Sequence, residues 1–327
     1  MTHPPQGSEF DIIARHFKPL AAGDAGALGL CDDGAVLDVP QGYQLVVTTD
    51  ALLVGVHFLG TQSPQDIAFK VVGANLSDLA AMGATPRAVF LAAQFPQGTD
   101  DDWLADFAEG LGLALAPSGA VLMGGDTVTT PGPLALTLTA LGFAPKNMVL
   151  TRAGANLGDD VYVSGTIGDG ALGLLCETGV LELDAELSQR YARPQPRFVM
   201  GQALAERGLA SACIDVSDGL AADLGHMCEA SGVSMEIIAP NVPLSASARR
   251  NVEKNAELLR TVLTGGDDYE LAFTAAPEHA AAIATLSAEL DLALTRIGTV
   301  SKSGLGVKVL DVEGKALDLG VGGYRHL

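Results

Sequence analysis

Five short acidic motifs contain the residues of this chain that are best suited to chemistry. Carboxylate and hydroxyl oxygens are hard ligands, which suit Mg²⁺ or Mn²⁺ better than zinc or copper. A single Gly-Asp or Thr-Asp pair is usually only a turn or a cap. Five such motifs in one cleft would repel one another unless cations neutralised them, so together they predict a divalent-cation site. The motifs are Asp32-Asp33, Thr48-Thr49-Asp50, Gly125-Asp126, Asp215-Val216-Ser217-Asp218 and Asp267-Asp268.

A further carboxylate, Asp78, lies in the helix that the sequence predicts for residues 63–83. Ser63 is the expected N-cap of this helix and Gly83 its left-handed stop. Asp78 falls in the last two turns, where the helix dipole disfavours a negative charge by a few tenths of a kcal/mol to about 1 kcal/mol. Asn75 lies three residues earlier on the same face. The pair indicates either a solvated polar face or support for a bound cation, and the other motifs favour the cation.

The hydrophobic pattern around the motifs predicts alternating strands and helices. Thr48-Thr49-Asp50 ends a predicted buried strand, and Gly125-Asp126 follows a short strand at 120–123. In α/β folds the ends of strands line the ligand crevice, so we expect the acidic motifs to meet there. Helices are expected at 8–20 and at 278–289. Three further helices are expected: one that Asp100 caps, one that begins at 168, and one that follows the Asp215–Asp218 motif and ends near 229. Further strands are expected at 87–95, 134–143, 160–164, 213–216, 233–239, 270–274, 293–300 and 306–310.

The composition indicates an acidic globular protein with two domains. The chain has 327 residues, of which 48% are hydrophobic and 18% charged, and this length is large for a single core. A short proline-containing link at 144–150 suggests domains of 1–146 and 147–327. The net charge of −20 argues against nucleic acid or an anionic membrane surface as a partner. We expect a cytoplasmic protein, because the four cysteines are scattered and no secretory or membrane-spanning segment is visible.

Several well-known nucleotide and nucleophile motifs are missing from the sequence. It contains no GxxxxGK[ST], HRD, DFG or GxSxG pattern. Residues 168–173, GDGALG, are rich in glycine but lack a lysine that could bind phosphate. The phosphates of any bound nucleotide would therefore be held by metal ions, glycine amides and Arg152.

Seven motifs in order resemble the thiamine-monophosphate kinase family, which belongs to the aminoimidazole ribonucleotide synthetase superfamily. They are DDGAV, VTTDALLVGVHF, NLSDLAAMGATPRAV, MGGDT, LTRAGANLGD, IDVSDGLAADL and TGGDDYELAF, and the resemblance extends over residues 10–324. It implies an α/β (α+β) fold of two mixed-sheet domains. The N-terminal domain would bind metal and ATP and form a homodimer interface, and the C-terminal domain would complete the nucleotide and substrate site. The implied reaction is Mg²⁺-assisted, in-line transfer of the γ-phosphoryl of ATP to thiamine phosphate, which gives thiamine diphosphate.

The resemblance also implies roles for individual residues. Asp50, Asp78, Asp126 and Asp215 would be catalytic. ATP would contact Gly125, Asp126, Arg152 and Ser217, and thiamine phosphate would contact His57, Asp267 and Tyr324. Cys31 and Asp267 depart from the family pattern, which usually has Gly and Glu at these positions. Several Mg²⁺ ions would be bound by Asp33, Thr48, Thr49, Asp50, Asp78, Asp126, Asp215 and Asp218.

Two other functions remain open at the level of the sequence. The first is another ATP-dependent enzyme of the same superfamily, either a ring-closing ligase or a selenide-activating enzyme. The selenide enzyme would need a reactive cysteine near the N-terminus, and the sequence has none before Cys31. The second is a non-catalytic, cation-loaded dimer, which would keep the acidic motifs but would need neither Arg152 nor His57. Nucleotide-dependent turnover would separate this dimer from both enzymes.

Overall fold

The computed structural model describes residues 9–21, 23–302, 304 and 306–320. The described residues form two compact units: those up to Leu79 with Ala84–Lys146, and Ala80–Gly83 with those from Asn147 onwards. Each unit is built on its own sheet, and both sheets contain parallel and antiparallel pairs. The predicted α/β (α+β) fold with two mixed sheets is therefore confirmed.

The sheet of the first unit has four strands in the order β1-β4-β2-β3. Their bounds are β1 Tyr43–Leu53, β2 Thr85–Pro96, β3 Val121–Thr130 and β4 Ala135–Pro145. Strand β4 pairs antiparallel with β1 and β2, and β2 pairs parallel with β3. Side chains along β4 alternate strictly between buried and partly exposed. One face of this sheet is therefore covered by the core, while the other is more open.

The first unit contains the helices α1 Glu9–Ile12 and α3 Asp101–Leu115 and all but the last two residues of α2 Pro64–Ala81. Helix α2 begins as predicted: Ser63 Oγ accepts the N–H of Asp66 at 3.1 Å and donates to its carboxylate at 2.7 Å. Gly83, with φ +68°, follows the helix in the left-handed conformation. Helix α3 comes close to α2 at Gly110, where a Cβ atom would lie 2.7 Å from the Cα of Gln65.

The prediction of one continuous helix over 8–20 is wrong. Helix α1 is followed by a π-helical turn at Ile13–Phe17 and a 3₁₀ turn at Lys18–Ala21. Pro19 gives a reason, because it has no N–H to donate and its ring would clash with the preceding turn of a regular α-helix. The side chain of Phe10 is 78% exposed.

The sheet of the second unit has six strands in the order β10-β7-β9-β5-β8-β6. The strands are β5 Asp160–Ser164, β6 Ala212–Asp215, β7 Ser234–Ile238, β8 Leu271–Ala275, β9 Leu294–Ser301 and β10 Gly306–Leu310. Strands β5 and β8 are buried along their whole length, so they form the centre of the core. Of the strand pairs that the structure describes in this sheet, β10 and β7 pair in parallel and the others are antiparallel.

Among the described residues of the second unit, seven helices pack on this sheet or connect its strands. In the part of the chain that the structure describes, no helix is both long enough and apolar enough to cross a membrane. The helices are α4 Asp169–Glu177, α5 Ala185–Ala192, α6 Phe198–Glu206, α7 Leu220–Ser231, α8 Ala246–Lys254, α9 Leu258–Thr264 and α10 Ala280–Leu290.

Candidate functional site

The first group of candidate residues in the first unit joins strand β1 to helix α2. Thr48 and Asp50 lie on the same face of β1, because side chains alternate along a strand. The hydroxyl of Thr48 donates to the carboxylate of Asp78. The N–H of Asp50 donates to Asn75 Oδ1 at 3.1 Å, and Asn75 Nδ2 donates to the carbonyl of Val71 at 2.9 Å. Asn75 is fully buried, so the solvated polar face considered above is wrong for this residue.

Thr49 and His57 occupy different surroundings from this group. The Thr49 hydroxyl lies 3.0 Å from that of Thr139 and 3.2 Å from the carbonyl of Leu138, on the opposite face of β1 from Thr48. His57 follows β1 in a turn, where its Nδ1 accepts the N–H of Leu53 at 2.9 Å. An Nδ1 that accepts a hydrogen bond carries no proton, so the neutral ring has its proton on Nε2.

The second group in the first unit surrounds a cavity of about 300 Å³. Asp32-Asp33 and Gly125-Asp126, which are far apart in the sequence, both line this cavity. Asp33 and Asp126 are exposed, which leaves their carboxylates accessible to a ligand. The remaining wall is mainly apolar, formed by Ile13, Phe17, Ala27, Leu30, Phe90, Leu91, Leu122 and Met123. The cavity thus has acidic groups together with an apolar wall.

The expectation that acidic motifs lie at strand ends is wrong in the first unit. Asp50 lies inside β1 and Asp126 inside β3, because backbone pairing with the neighbouring strands continues past both residues. Asp50 is paired with Leu138, Leu138 with Leu91, and Leu91 with Gly125. Two strands therefore separate Asp50 from the Gly125-Asp126 pair, and three strand spacings correspond to roughly 14 Å. The first unit has two acidic groups on one sheet rather than one cluster.

Gly125 has a structural reason to be glycine. Its φ is +152°, and a Cβ atom at this position would lie 1.9 Å from the carbonyl oxygen of Leu91 on the neighbouring strand. A side chain would therefore push β3 away from β2. The glycine lets the two strands pair closely beside Asp126.

In the second unit, the Asp215–Asp218 motif lies at the end of strand β6, as predicted. Asp215 is the last residue of that strand. The N–H groups of Ser217, Asp218 and Gly219 all donate to one carboxylate oxygen of Asp223, at 3.1, 3.1 and 3.0 Å. Burial raises the pKa of Asp223 well above its usual value, and the charges of Asp215 and Asp218 add to this effect. Asp223 therefore braces the turn that presents Asp218.

Sequence reasoning missed Asp223, although its position in the first turn of α7 was a usable signal for an N-terminal cap. Among the described residues, ligand atoms of Asp218, Asp223 and His226 lie within 4.8 Å of one another. Three hydrogen bonds already satisfy one oxygen of Asp223. We therefore assign this carboxylate to the support of the turn.

Arg152 lies near the start of the second unit and is exposed. The carbonyl of the preceding residue, Thr151, accepts the N–H of Cys213 at 2.9 Å, so this segment runs beside strand β6. The carbonyl of Arg152 itself accepts the hydroxyl of Ser231 at 3.2 Å. The backbone of Arg152 is thus fixed next to the strand that ends at Asp215.

The loop of residues 265–270 lies directly against the Asp215–Asp218 motif. Asp267 N–H donates to the carbonyl of Ser217 at 2.9 Å, and Tyr269 N–H donates to that of Val216 at 2.8 Å. In return, Val216 N–H donates to the carbonyl of Glu270 at 2.8 Å. The two acidic motifs of the second unit are therefore brought together, as the sequence predicts. Tyr324, the third candidate contact for thiamine phosphate, lies outside the described residues.

The neighbouring carboxylate, Asp268, has a structural role that the sequence did not reveal. It is buried and accepts the N–H groups of Gly168 and Gly170 at 2.7 and 3.0 Å, at the start of helix α4. Burial raises the pKa of Asp268 to about 8. Asp267 and Asp268 are thus adjacent in sequence but different in environment, since Asp267 is only partly buried.

The donor sets in both units fit a hard divalent cation. Thr48, Asp50 and Asp78 in the first unit, and Asp215 and Asp218 in the second, offer only oxygen atoms. Oxygen ligands suit Mg²⁺, which usually takes one or two carboxylates together with phosphate oxygens and water. The residues can thus hold Mg²⁺-bound phosphates without a lysine-containing phosphate loop.

Comparison with known proteins gives a consistent result over both units. The AIR synthase related protein N-terminal domain matches residues 31–144, and the corresponding C-terminal domain matches residues 156–310. The thiamine-monophosphate kinase of Haemophilus influenzae is 42% identical over 299 residues, covering 90% of this chain and 89% of that protein. The thiamine-monophosphate kinase of Caulobacter vibrioides is 43% identical, covering 89% of this chain and 83% of its own length.

Solved structures agree with these matches. Thiamine-monophosphate kinase from Stenotrophomonas maltophilia superposes with a TM-score of 0.85 at 39% identity, covering 97% of this chain and all of that one. AaThiL complexed with AMPPCP and TMP gives a TM-score of 0.77 at 30% identity, covering 98% and 97% of the two chains. The hydrogenase maturation protein HypE, at 22% identity and a TM-score of 0.79, shares the fold alone. This chain belongs to the thiamine-monophosphate kinase family of AIR synthase related proteins.

Proposed function

We propose that this protein transfers the γ-phosphoryl group of ATP to thiamine phosphate, giving thiamine diphosphate and ADP. Family membership supports this reaction, and a relative has been solved with AMPPCP, an ATP analogue, and with TMP. The observation that carries the proposal is the contact between the Asp215–Asp218 motif and the loop of Asp267. Through this contact, Asp215 and Asp218, which can bind metal-bound phosphates, lie close in the fold to Asp267, which would bind thiamine phosphate.

Mg²⁺ would neutralise phosphate oxygens of both substrates and hold them in line for transfer. In the first unit, Thr48 and Asp78 are already oriented by their hydrogen bond, and the backbone of Asp50 is fixed by Asn75. In the second unit, the hydrogen bond from the N–H of Asp218 to the carboxylate of Asp223 fixes the backbone of Asp218. The full proposed ligand set is Asp33, Thr48, Asp50, Asp78, Asp126, Asp215 and Asp218, with Asp50, Asp78, Asp126 and Asp215 closest to the chemistry. Thr49 belongs to the set that the family resemblance implies, but its hydroxyl lies on the opposite face of β1.

The nucleotide would be bound through Gly125, Asp126, Arg152 and Ser217. The cavity beside Gly125 and Asp126 supports this assignment because it has space as well as acidic groups for metal-bound phosphates. Arg152 is exposed, so its guanidinium is accessible to an anionic ligand. The hydrogen-bonded turn at 217–219 holds Ser217 in a fixed position.

The acceptor requires little activation by the protein. Thiamine phosphate is a phosphate monoester whose oxygen is already anionic, so the transfer needs no strong general base. His57, Asp267 and Tyr324 would recognise the acceptor instead. The side chain of Asp267 is one methylene shorter than the glutamate usual in the family.

We also propose a homodimer formed through the open face of the first unit's sheet. Leu45, Val47 and Leu53 alternate along β1 on one face, and all three are exposed. A row of exposed apolar side chains on a strand suits burial against a second copy. A cytoplasmic location is supported by the four cysteines, all of which are free thiols.

One assay separates the proposed function from its alternatives. The purified protein is incubated with Mg·ATP and, separately, with thiamine phosphate, thiamine or formylglycinamidine ribonucleotide, and ADP release is measured. We expect turnover with thiamine phosphate alone and formation of thiamine diphosphate. Turnover of the purine intermediate would favour the ligase, and efficient use of thiamine would contradict the base-free mechanism. No ADP release with any acceptor would favour a non-catalytic cation-binding dimer.

A further inference from the structure

A buried ion-pair network adjoins the loop that carries Asp267. At its centre is Glu270, which has no exposed surface. Arg197 donates to both carboxylate oxygens of Glu270, at 2.7 and 2.5 Å, and Arg190 donates at 2.8 Å. The hydroxyl of Ser164 adds a fourth hydrogen bond at 2.5 Å. The proposed metal, nucleotide and acceptor contacts include none of these four residues.

The network joins separate segments of the second unit at one carboxylate. Arg197 ends the sequence Arg-Pro-Gln-Pro-Arg at 193–197, whose prolines restrict the backbone, and Arg190 lies on helix α5. Ser164 ends strand β5, and its hydroxyl also accepts the N–H of Leu271 at 2.9 Å. Gly165, with φ +54°, leaves room for the carboxylate, because a Cβ atom there would lie 2.3 Å from Glu270 Oε1.

The loop beside the network has an unusual backbone. Asp267 has φ +71° and Tyr269 has φ +53°, and neither residue is glycine. Side chains disfavour this left-handed region, so such residues persist where the surrounding structure enforces the conformation, often at ligand-binding sites. Arg190 also reaches the loop itself, since its guanidinium lies 3.4 Å from the carbonyl oxygen of Asp268.

Core stability alone does not account for these contacts. A buried ion pair can often be replaced by apolar residues of similar volume without loss of stability. The charges here fix the orientation of the Glu270 side chain, because a bidentate Arg–Glu pair constrains the position of both partners. The constrained glutamate is three residues from Asp267 and directly follows the left-handed Tyr269.

We propose that Glu270, held by Arg190 and Arg197, is a positioning residue for the acceptor. It holds residues 265–269 in the left-handed turn that presents Asp267 to thiamine phosphate, and it does not touch the substrate itself. This inference rests on the proposed function, since it assigns Asp267 to the acceptor. It also gives the basic segment at 193–197 a role in recognition of the acceptor.

The test compares Glu270→Gln with Glu289→Gln. Glu270→Gln keeps the size of the side chain but removes the counter-charge of Arg197 and leaves Arg190 with the more distant Asp169, at 4.0 Å. Glu289 is a matched control, because its carboxylate pairs with Arg207 at 2.6 Å on the surface of the same unit. We expect Glu270→Gln to raise KM for thiamine phosphate at least 10-fold while KM for ATP changes less than 2-fold. Glu289→Gln should change neither constant.

A second variant and a binding measurement keep the test valid if Glu270→Gln does not fold. Arg197→Lys retains the charge but loses the two-pronged geometry, and Arg197→Gln loses both. We expect calorimetric affinity for thiamine phosphate to fall in the order wild type, Arg197→Lys, Arg197→Gln. Equal affinity in folded variants would overturn the inference, as would parallel losses for thiamine phosphate and ATP. Failure of the proposed function would instead appear as no ADP release by the wild-type protein.

Discussion

The hydroxyl of Thr48 donates a hydrogen bond to the carboxylate of Asp78, which lies thirty residues later in the chain. This contact joins strand β1 to the last turns of helix α2 and brings two side-chain oxygen atoms together. The helix dipole disfavours Asp78 at this position. A charge kept where the fold disfavours it is better explained by function than by stability.

We predict that Asp78→Asn lowers kcat at least 100-fold and leaves the apo protein folded. The free energy of unfolding should stay the same or rise by up to about 1 kcal/mol, because the unfavourable charge at the C-terminal end of the helix is removed. Asp66→Asn in the first turn is the matched control: it removes a negative charge that the helix dipole favours there, costs about 0.3–1 kcal/mol and should leave kcat unchanged. Urea denaturation and steady-state kinetics measure both effects. Normal activity of folded Asp78→Asn would contradict the metal-ligand role.

Mg²⁺ and nucleotide should stabilise the protein together. At a ligand concentration of 100 times Kd, binding adds about 2.7 kcal/mol to the free energy of unfolding. Scanning calorimetry with Mg²⁺ alone, AMPPCP alone and both ligands should show the largest increase in Tm for the combination. Asp126→Asn should reduce this increase. A Tm that does not respond to the combination would exclude a shared metal and nucleotide site.

Gly125→Ala should disrupt the pairing of β3 with β2. The new Cβ would collide with the carbonyl of Leu91, so we expect the free energy of unfolding to fall by about 1–3 kcal/mol. Gly34→Ala is the control, because Gly34 lines the same cavity and a Cβ there would meet no atom within 4 Å. Its effect should remain within about 0.5 kcal/mol. Urea denaturation of the two variants tests this difference, and equal stabilities would show that β3 adapts to a side chain.

Asp268 should make stability depend on pH. Its pKa is about 8 in the folded protein, against an ordinary value of 3.8. Between these values the folded chain binds the proton more strongly than the unfolded chain, so this contribution to stability decreases as the pH rises. Asp268→Asn does not titrate. The free energy of unfolding of the wild type, minus that of the variant, should therefore decrease from pH 5 to pH 8. Urea denaturation without substrates measures both values. A difference that stayed constant or increased would be evidence against the raised pKa.

The proposed dimer predicts a specific effect of charge on β1. Val47 is 55% exposed on the open face of the sheet, so Val47→Asp should convert a dimer into a monomer at micromolar concentration. Val312→Asp is the control, because Val312 is even more exposed, at 83%, but lies in the second unit. Sedimentation velocity distinguishes the two states. A monomeric wild-type protein would refute the dimer.

Local sequence determined much of the secondary structure. Ser63 and Gly83 mark the ends of helix α2 through hydrogen bonds and backbone conformations that depend only on neighbouring residues. The strands at 160–164 and 306–310 occur where the hydrophobic pattern predicts them. The acidic motifs also indicated oxygen ligands for a hard cation, because this preference depends on the chemical type of the side chain. These properties are local, so a single sequence is sufficient to predict them.

Tertiary structure alone decided which of these residues meet. Strands β1 and β3 extend beyond Asp50 and Asp126, because the neighbouring strands provide hydrogen-bond partners for the backbone on both sides of these residues. The order of the strands then separates the two residues across the sheet. The contacts of Glu270 were equally invisible to sequence patterns. Glu270 depends on arginines 73 and 80 residues away, and no local pattern specifies contacts over that distance. Side-chain chemistry is thus determined by the sequence at each position, whereas the arrangement of the site depends on long-range packing.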